Sequence, residues 1–194
     1  MAVDDGGVLP EQLVGDRVIL RRYRDGDAET LLAVLAANRA RLGQWLPWAL
    51  APPSSESVRA FLDGAVGGFG LATADYAITL AVDPAHPYVG GCGLIDRVGP
   101  GALEIGYWLD GGQTGRGLVT DAAGLLTRAA LALPGVTRVE IHCDQANRSS
   151  AAVAERLGYR LDRIEPDEIR TPAESGRSMI WVYDALACQG ASHG

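Results

Sequence analysis

Residues 104–121 read Glu-Ile-Gly-Tyr-Trp-Leu-Asp-Gly-Gly-Gln-Thr-Gly-Arg-Gly-Leu-Val-Thr-Asp, and no other stretch narrows the fold so far. An alternating apolar strand over 103–109 enters a glycine-rich turn, and the turn opens a helix over 117–133. In that helix Leu118, Ala122, Leu125, Leu126, Ala129, Ala130 and Leu133 recur on one face. Pro134 and Gly135 stop it, and 136–143 returns as a strand. Strand, helix and strand in this order predict a right-handed crossover between parallel strands. The turn then lies beyond the carboxyl end of a strand. Free backbone N–H groups and a positive helix end meet there, which suits a phosphate.

The flanking sequence predicts the rest of the sheet. Residues 17–23 alternate as a strand, and Asp25-Gly-Asp27 offers an N-cap to a short helix over 28–37. Residues 38–48 set Trp45 and Trp48 about a proline. After Pro52-Pro53, Ser54 or Ser55 caps a helix through Val58, Phe61, Leu62 and Val66, ended by Gly67-Gly68. Runs at 76–82, 88–95 and 103–109, parted by Pro or Gly turns, predict an antiparallel meander. Gly90, Gly91 and Gly93 fall inside the second run, where packing or a bulge accounts for them. Past the crossover come a helix over 149–157 ended by Gly158, and strands at 159–164 and 178–186 about a polar loop. The expected class is α/β, a mixed, mostly antiparallel sheet of six or seven strands flanked by helices. Residues 1–15 read as a flexible arm, 16–187 as one domain and 188–194 as a flexible tail.

Composition excludes several classes. With 47% apolar and 21% charged residues, the 194-residue chain has the balance of a soluble globular protein. No apolar run reaches the roughly 18 residues of a membrane span. The acidic start lacks a secretion signal, so a cytoplasmic protein is expected. Cys92, Cys143 and Cys188 form no CxxC pair, and neither they nor His86, His142 and His193 have the spacing of a zinc site. No metal is expected. The net charge of −7 argues against nucleic acid as a partner and suits a cationic one, although solubility alone also accounts for it.

Two phosphate loops are excluded by residue type. A Walker loop needs Lys-Ser/Thr after its second glycine, and Leu118 follows Gly117. A dinucleotide fingerprint needs a third glycine, where Thr120 stands. The segment Thr114-Gly115-Arg116-Gly117-Leu118-Val119 resembles the pyrophosphate loop of the Gcn5-related N-acetyltransferases, Gln/Arg-x-x-Gly-x-Gly/Ala. It departs from that pattern at Thr114 (Gln113 comes one residue early) and at Val119. Three more blocks resemble the RimJ/RimL-type subgroup in the same order. They are Glu104-Ile-Gly-Tyr-Trp-Leu-Asp110, then Asn147-Arg-Ser-Ser150 with Val153-Ala-Glu-Arg-Leu-Gly-Tyr159, and Asn38-Arg39 through Gln44-Trp45-Leu46-Pro47-Trp48.

The resemblance implies acetyl-coenzyme A as co-substrate and acetyl transfer to a primary amine by direct attack in a ternary complex. The amine is that of a peptide N-terminus or of a small molecule, and a non-catalytic CoA sensor is the third reading. It implies that the backbone of Thr114, Gly115, Arg116, Gly117, Leu118, Val119 and Thr120 holds the pyrophosphate, and that Asn147 and Ser150 touch the pantetheine. Trp108 and Leu109 supply a backbone donor to the thioester carbonyl. Glu104 is implied as the base and Ser150 as the acid. Each has an ordinary alternative: Glu104 a salt-bridged strand carboxylate, Asn147 and Ser150 a helix cap, Arg116 a solvated cation. Trp45 and Trp48 line the acceptor side, or pack in the core or in a dimer contact. Glu140, Asp144 and His142 compete with Glu104 as bases. Dimers are common in the subgroup, and a homodimer fits it.

Overall fold

A computed structural model describes residues 8–69 and 73–184. Among these residues eight strands make one sheet: β1 (Gln12–Val14), β2 (Val18–Arg22), β3 (Ala74–Leu80), β4 (Tyr88–Ile95), β5 (Ala102–Leu109), β6 (Arg138–Asp144), β7 (Arg160–Pro166) and β8 (Arg177–Asp184). Their order is β1-β2-β3-β4-β5-β6-β8-β7. All neighbours are antiparallel except β5 and β6, which are parallel. The helices are α1 (Ala28–Leu42), α2 (Ser55–Gly67), α3 (Leu118–Leu131) and α4 (Arg148–Arg156). The meander and the parallel crossover through α3 are as the sequence predicts.

The two faces of the sheet carry separate cores. Leu118, Ala122, Leu126 and Ala130 of α3 pack with Ile105, Val139 and Ile141 on one face. Leu31 of α1 and Val58 and Leu62 of α2 pack with Tyr23 and Ala77 on the other, and Trp108 lies against them. Strand alternation in β5 therefore sends Ile105 and Tyr107 toward α3 and α4, and Glu104, Gly106 and Trp108 toward α1 and α2.

Two differences from the sequence reading exceed two residues. Residues 12–14, expected in a loose arm, form β1, which pairs with β2 and gives the sheet its eighth strand. Leu9 is buried beside it, and the Tyr76 hydroxyl donates to the Pro10 carbonyl at 2.7 Å. A three-residue strand shows no alternation to read; its partners hold it. Helix α1 runs to Leu42 instead of 37, because its polar end, Asn38 and Arg41, finds partners on β5 and the loop after it. The rest of the arm, 1–7, and the tail, 188–194, lie outside the described residues.

The sheet is not continuous from edge to edge. Strands β5 and β6 pair only at Ala102–Arg138, Leu103–Val139 and Glu104–Glu140. Beyond Glu104, β5 continues for five residues beside β4, and β6 continues from Ile141 to Asp144 beside β8. The two strands splay and leave a wedge through the sheet.

Gly90 shows how tightly β4 is held on the other side of β5. A Cβ there would overlap the Trp108 carbonyl oxygen and stand 3.0 Å from the Leu109 Cα. A register shift between β3 and β4 falls beside it, so close packing and a bulge are both present. Gly90→Ala is expected to lower stability by about 2 kcal/mol or more in urea unfolding, since backbone must move. Gly64→Ala, in the exposed middle of α2 with nothing within 4 Å, should instead raise it by about 0.5–1 kcal/mol. Equal midpoints for the two variants would contradict this account of β4.

Candidate functional site

The glycine loop stands at the mouth of the wedge. After β5, Asp110 accepts from the Gly112 N–H and starts a short 3-10 turn, Gly111–Gln113. The Thr114 hydroxyl donates to the Gly111 carbonyl at 3.0 Å and closes that turn. Gly115 (φ +75°) and Gly117 (φ +74°) both take left-handed backbone, which a side chain would strain. Residues 114–117 are exposed, and Gly117 is the N-cap of α3 with no side chain capping it. The helix therefore presents unmet N–H groups to the groove.

The loop is fixed from a distance. The Asn38 amide of α1 is buried and donates to Asp110 Oδ1 at 2.9 Å, while its oxygen accepts from the Gly111 N–H at 2.7 Å. Arg41 donates to the Leu109 carbonyl. On the other flank, Asp121 in the first turn of α3 accepts from the N–H groups of Arg17 (2.8 Å) and Val18 (3.1 Å). The Arg17 guanidinium donates to the Arg116 carbonyl at 3.3 Å, and Arg116 itself donates to Gln113. Sequence reading singled out neither Asp121 nor Arg41, because their partners lie far along the chain. Val119 is half-buried against the core.

Across the wedge, the Asn147 side chain accepts from the Ser150 N–H at 3.1 Å, so it caps α4. The Ser150 hydroxyl shares a 2.8 Å hydrogen bond with the Tyr107 hydroxyl, which reaches over from β5. Burial pushes the Tyr107 phenol above its ordinary range, a shift that the Ser150 bond only partly opposes. Cys143, on the lip of β6, is a buried free thiol also pushed up by burial. The Tyr107 hydroxyl ties the two sides of the wedge together.

Glu104 is nearly enclosed, at 3% exposure, and accepts two hydrogen bonds of 2.6 Å from the Arg97 guanidinium. Beside it in the parallel pair stands Glu140, also buried. His142 lies between them, with Nδ1 3.5 Å from Glu104 and Nε2 2.6 Å from Glu140. Arg138 is 2.8 Å from the other Glu140 oxygen, without an aligned hydrogen bond. The salt-bridged carboxylate foreseen for Glu104 is present, and two of its competitors belong to the same network. The third, Asp144, is apart. Its partial burial raises its pKa, but donation from Ala146, Ser175 and Arg177 outweighs that and holds it below the ordinary carboxylate range.

The groove continues onto the α1 and α2 face. Trp45 is half-buried and Trp48 exposed at its rim, and the Trp48 ring meets Trp108 edge-on at 6.2 Å. Cys92 is buried away from any ligand set, and His86 bonds the Leu80 carbonyl. Cys188 and His193 lie outside the described residues. Among the described residues no group of His, Cys, Asp or Glu is placed to hold a metal, and no helix is long and apolar enough to cross a membrane.

Known proteins share this architecture. The family model for the acetyltransferase (GNAT) domain matches residues 17–160. Over 152 residues the chain is 31% identical to the "Putative ribosomal N-acetyltransferase YdaF" of Bacillus subtilis (strain 168), covering 75% of this chain and 79% of that protein. The structure of RimL, a ribosomal L7/L12 alpha-N-protein acetyltransferase in complex with coenzyme A, aligns with a TM-score of 0.76 at 21% identity, covering 91% of this chain and 97% of that one. The microcin C7 self-immunity acetyltransferase MccE, in complex with acetyl-CoA and AMP, aligns at 0.78 and 20%, covering 90% and 97%. The last two show the fold.

Asn38 offers the sharpest test of how the loop is held. Asn38→Ala would orphan the Gly111 N–H and take one donor from Asp110, with a cost of about 1–3 kcal/mol in chemical unfolding. It should also strip hydrogen-exchange protection from the Gly111 amide. Unchanged protection at Gly111 would show that the loop does not depend on α1.

Proposed function

Because the chain belongs to the GNAT acetyltransferase family, a family of acyltransferases, we propose that it moves an acetyl group from acetyl-CoA to a primary amine. The acceptor we favour is a protein N-terminal α-amine, in line with the name of the Bacillus relative. The observation that carries the reading is the wedge between β5 and β6 with an exposed glycine loop at its mouth. The residues fit a coenzyme A molecule. Left-handed glycines leave the pyrophosphate room, the backbone of 114–120 faces it, and Arg17 and Arg116 line the same groove. The pantetheine then follows the wedge past Asn147 and Ser150.

The donor supplies an acetyl thioester. The backbone near Trp108 and Leu109, free of β6, offers an N–H donor to its carbonyl oxygen. The amine nitrogen bonds to the carbonyl carbon, the carbon–sulfur bond breaks, the nitrogen gives up a proton and the sulfur takes one. Glu104 receives the amine proton, directly or through water, and His142 and Glu140 extend the path behind it. Arg97 must slacken for this, and its side chain is 60% exposed. On the other side, the Ser150 hydroxyl passes a proton to the thiolate as it takes one from water in the open groove, and Tyr107 holds that hydroxyl in line. A lone serine is a poor acid, whereas a hydroxyl that gains a proton as it gives one up leaves no anion behind.

Acetyl-CoA-dependent release of free thiol in the presence of an amine panel tests the reading directly. Glu104→Gln should lower kcat by about 10²-fold or more, with the KM for acetyl-CoA little changed. Gly117→Val should raise the KM for acetyl-CoA by about tenfold, by straining the loop. Tight acetyl-CoA binding without thiol release on any amine would replace the enzyme by a CoA sensor. Acetylation of small amines but of no peptide N-terminus would move the acceptor to small molecules.

A further inference from the structure

We propose that this groove selects an amine with a bulky apolar side chain close by, and that Phe61 and Trp48 are the residues that select it. That the occupant is an acetyl acceptor rests on the acyl-transfer reading above. The apolar chemistry of the subsite rests on the side chains themselves.

Among the described residues two aromatic side chains are exposed, Trp48 at 53% and Phe61 at 40%, and both line this groove. They are the ends of one chain of rings. Trp48 meets Trp108 at 6.2 Å, Trp108 meets Tyr88 at 6.0 Å, Tyr88 meets Tyr23 at 6.2 Å, and Tyr23 meets Phe61 edge-on at 5.2 Å. The inner rings are fixed. Tyr23 is buried, and its hydroxyl shares a 3.1 Å hydrogen bond with that of Tyr88. Tyr23 and Trp108 turn their polar edges toward Gly91. A Cβ there would stand 2.6 Å from the Tyr23 hydroxyl and 2.8 Å from Trp108 Nε1, so the floor beneath the rings is full. An occupant therefore sits on the rings themselves, between Trp48 and Phe61, where Pro52 and Pro53 of the α1–α2 connection also line the groove.

Two scattered exposed rings would need no account. These two close a continuous arc on the wall of the groove that holds Glu104, and its place fits the acceptor. Asn147 and Ser150, along the path of the donor, open α4 on the other face of the sheet. Glu104, Gly106 and Trp108 share the face of the arc, and Trp108 lies about 13 Å along β5 from Glu104. An extended acceptor with its amine beside Glu104 sets the side chain of its first or second residue at about that reach. An apolar side chain there leaves water for rings that are already ordered, so little is lost in arranging them. A polar one would give up water for rings that return no hydrogen bond.

The test is binding to the CoA-loaded protein, measured by calorimetry with short peptides that differ only in phenylalanine or serine at the first or second position. At one of these positions wild type should bind the phenylalanine peptide about tenfold or more tightly, the worth of burying such a ring. Phe61→Ser and Trp48→Ser should each bring that pair of peptides within about threefold and leave CoA affinity unchanged. Phe61→Leu, which keeps the wall apolar, should retain most of the preference. Equal or undetectable binding of both peptides to wild type, or a phenylalanine preference that survives Phe61→Ser and Trp48→Ser, overturns the proposal. In turnover the preference should appear as an acceptor KM about tenfold lower for the phenylalanine peptide, with the same acetyl-CoA KM for both. A preference in binding without any acetyl transfer would sink the transferase reading and keep the apolar subsite. Transfer to both peptides alike would do the reverse.

Discussion

Three residue pairs join β5 to β6, and the groove through the sheet depends on the pairing stopping at the third. At that point two buried carboxylates, Glu104 and Glu140, lie side by side. Like charges so placed in a poor dielectric repel strongly unless cations answer them. Arg97 answers Glu104 and Arg138 answers Glu140, and His142, two residues past the last pair on β6, lies between the two carboxylates. The strands part there, and each stays paired on its far side, β5 with β4 and β6 with β8. Backbone groups on the inner lips then need other partners. Arg41 satisfies the Leu109 carbonyl, and the remaining open positions face the groove.

A wedge needs fixed walls. Helix α1 reaches across with Asn38 and Arg41 to pin the end of β5 and the start of the loop, and Asp121 pins α3 to the β1–β2 turn. Tyr107 bridges from β5 to the start of α4 through Ser150. These contacts join elements far apart in sequence, so the groove is a product of the whole sheet. The left-handed glycines can then serve the loop's shape alone, because its position is set elsewhere.

This division explains what the sequence made legible. The strand–turn–helix over 104–121 and the buried stripe of α3 are local patterns, and the structure follows them to within two residues. The meander was readable for the same reason. Unreadable features depend on remote partners. The last turn of α1 looks too polar to be helical until Asp110 and Gly111 arrive beside Asn38. β1 has three residues and no pattern. The wedge itself leaves no trace, because β5 and β6 look like ordinary strands throughout. In the site, residue types were legible and their partners were not. Glu104 and Asn147 each carried two readings, and the contacts now visible, Arg97 for one and the Ser150 amide for the other, are the structural ones.

A carboxylate proposed to take a proton from an amine must have somewhere to send it, because a protonated acid at a groove accepts no second proton. Glu104 is joined to His142, and His142 to Glu140, so under the proposed reading a proton arriving there can be passed on. The net charge of −7 does not oppose the proposed anionic donor, because the field that matters is local. Arg17, Arg116 and the start of α3 line the groove at its mouth, while Glu104 and Glu140 lie at its closed end, where the strands still pair.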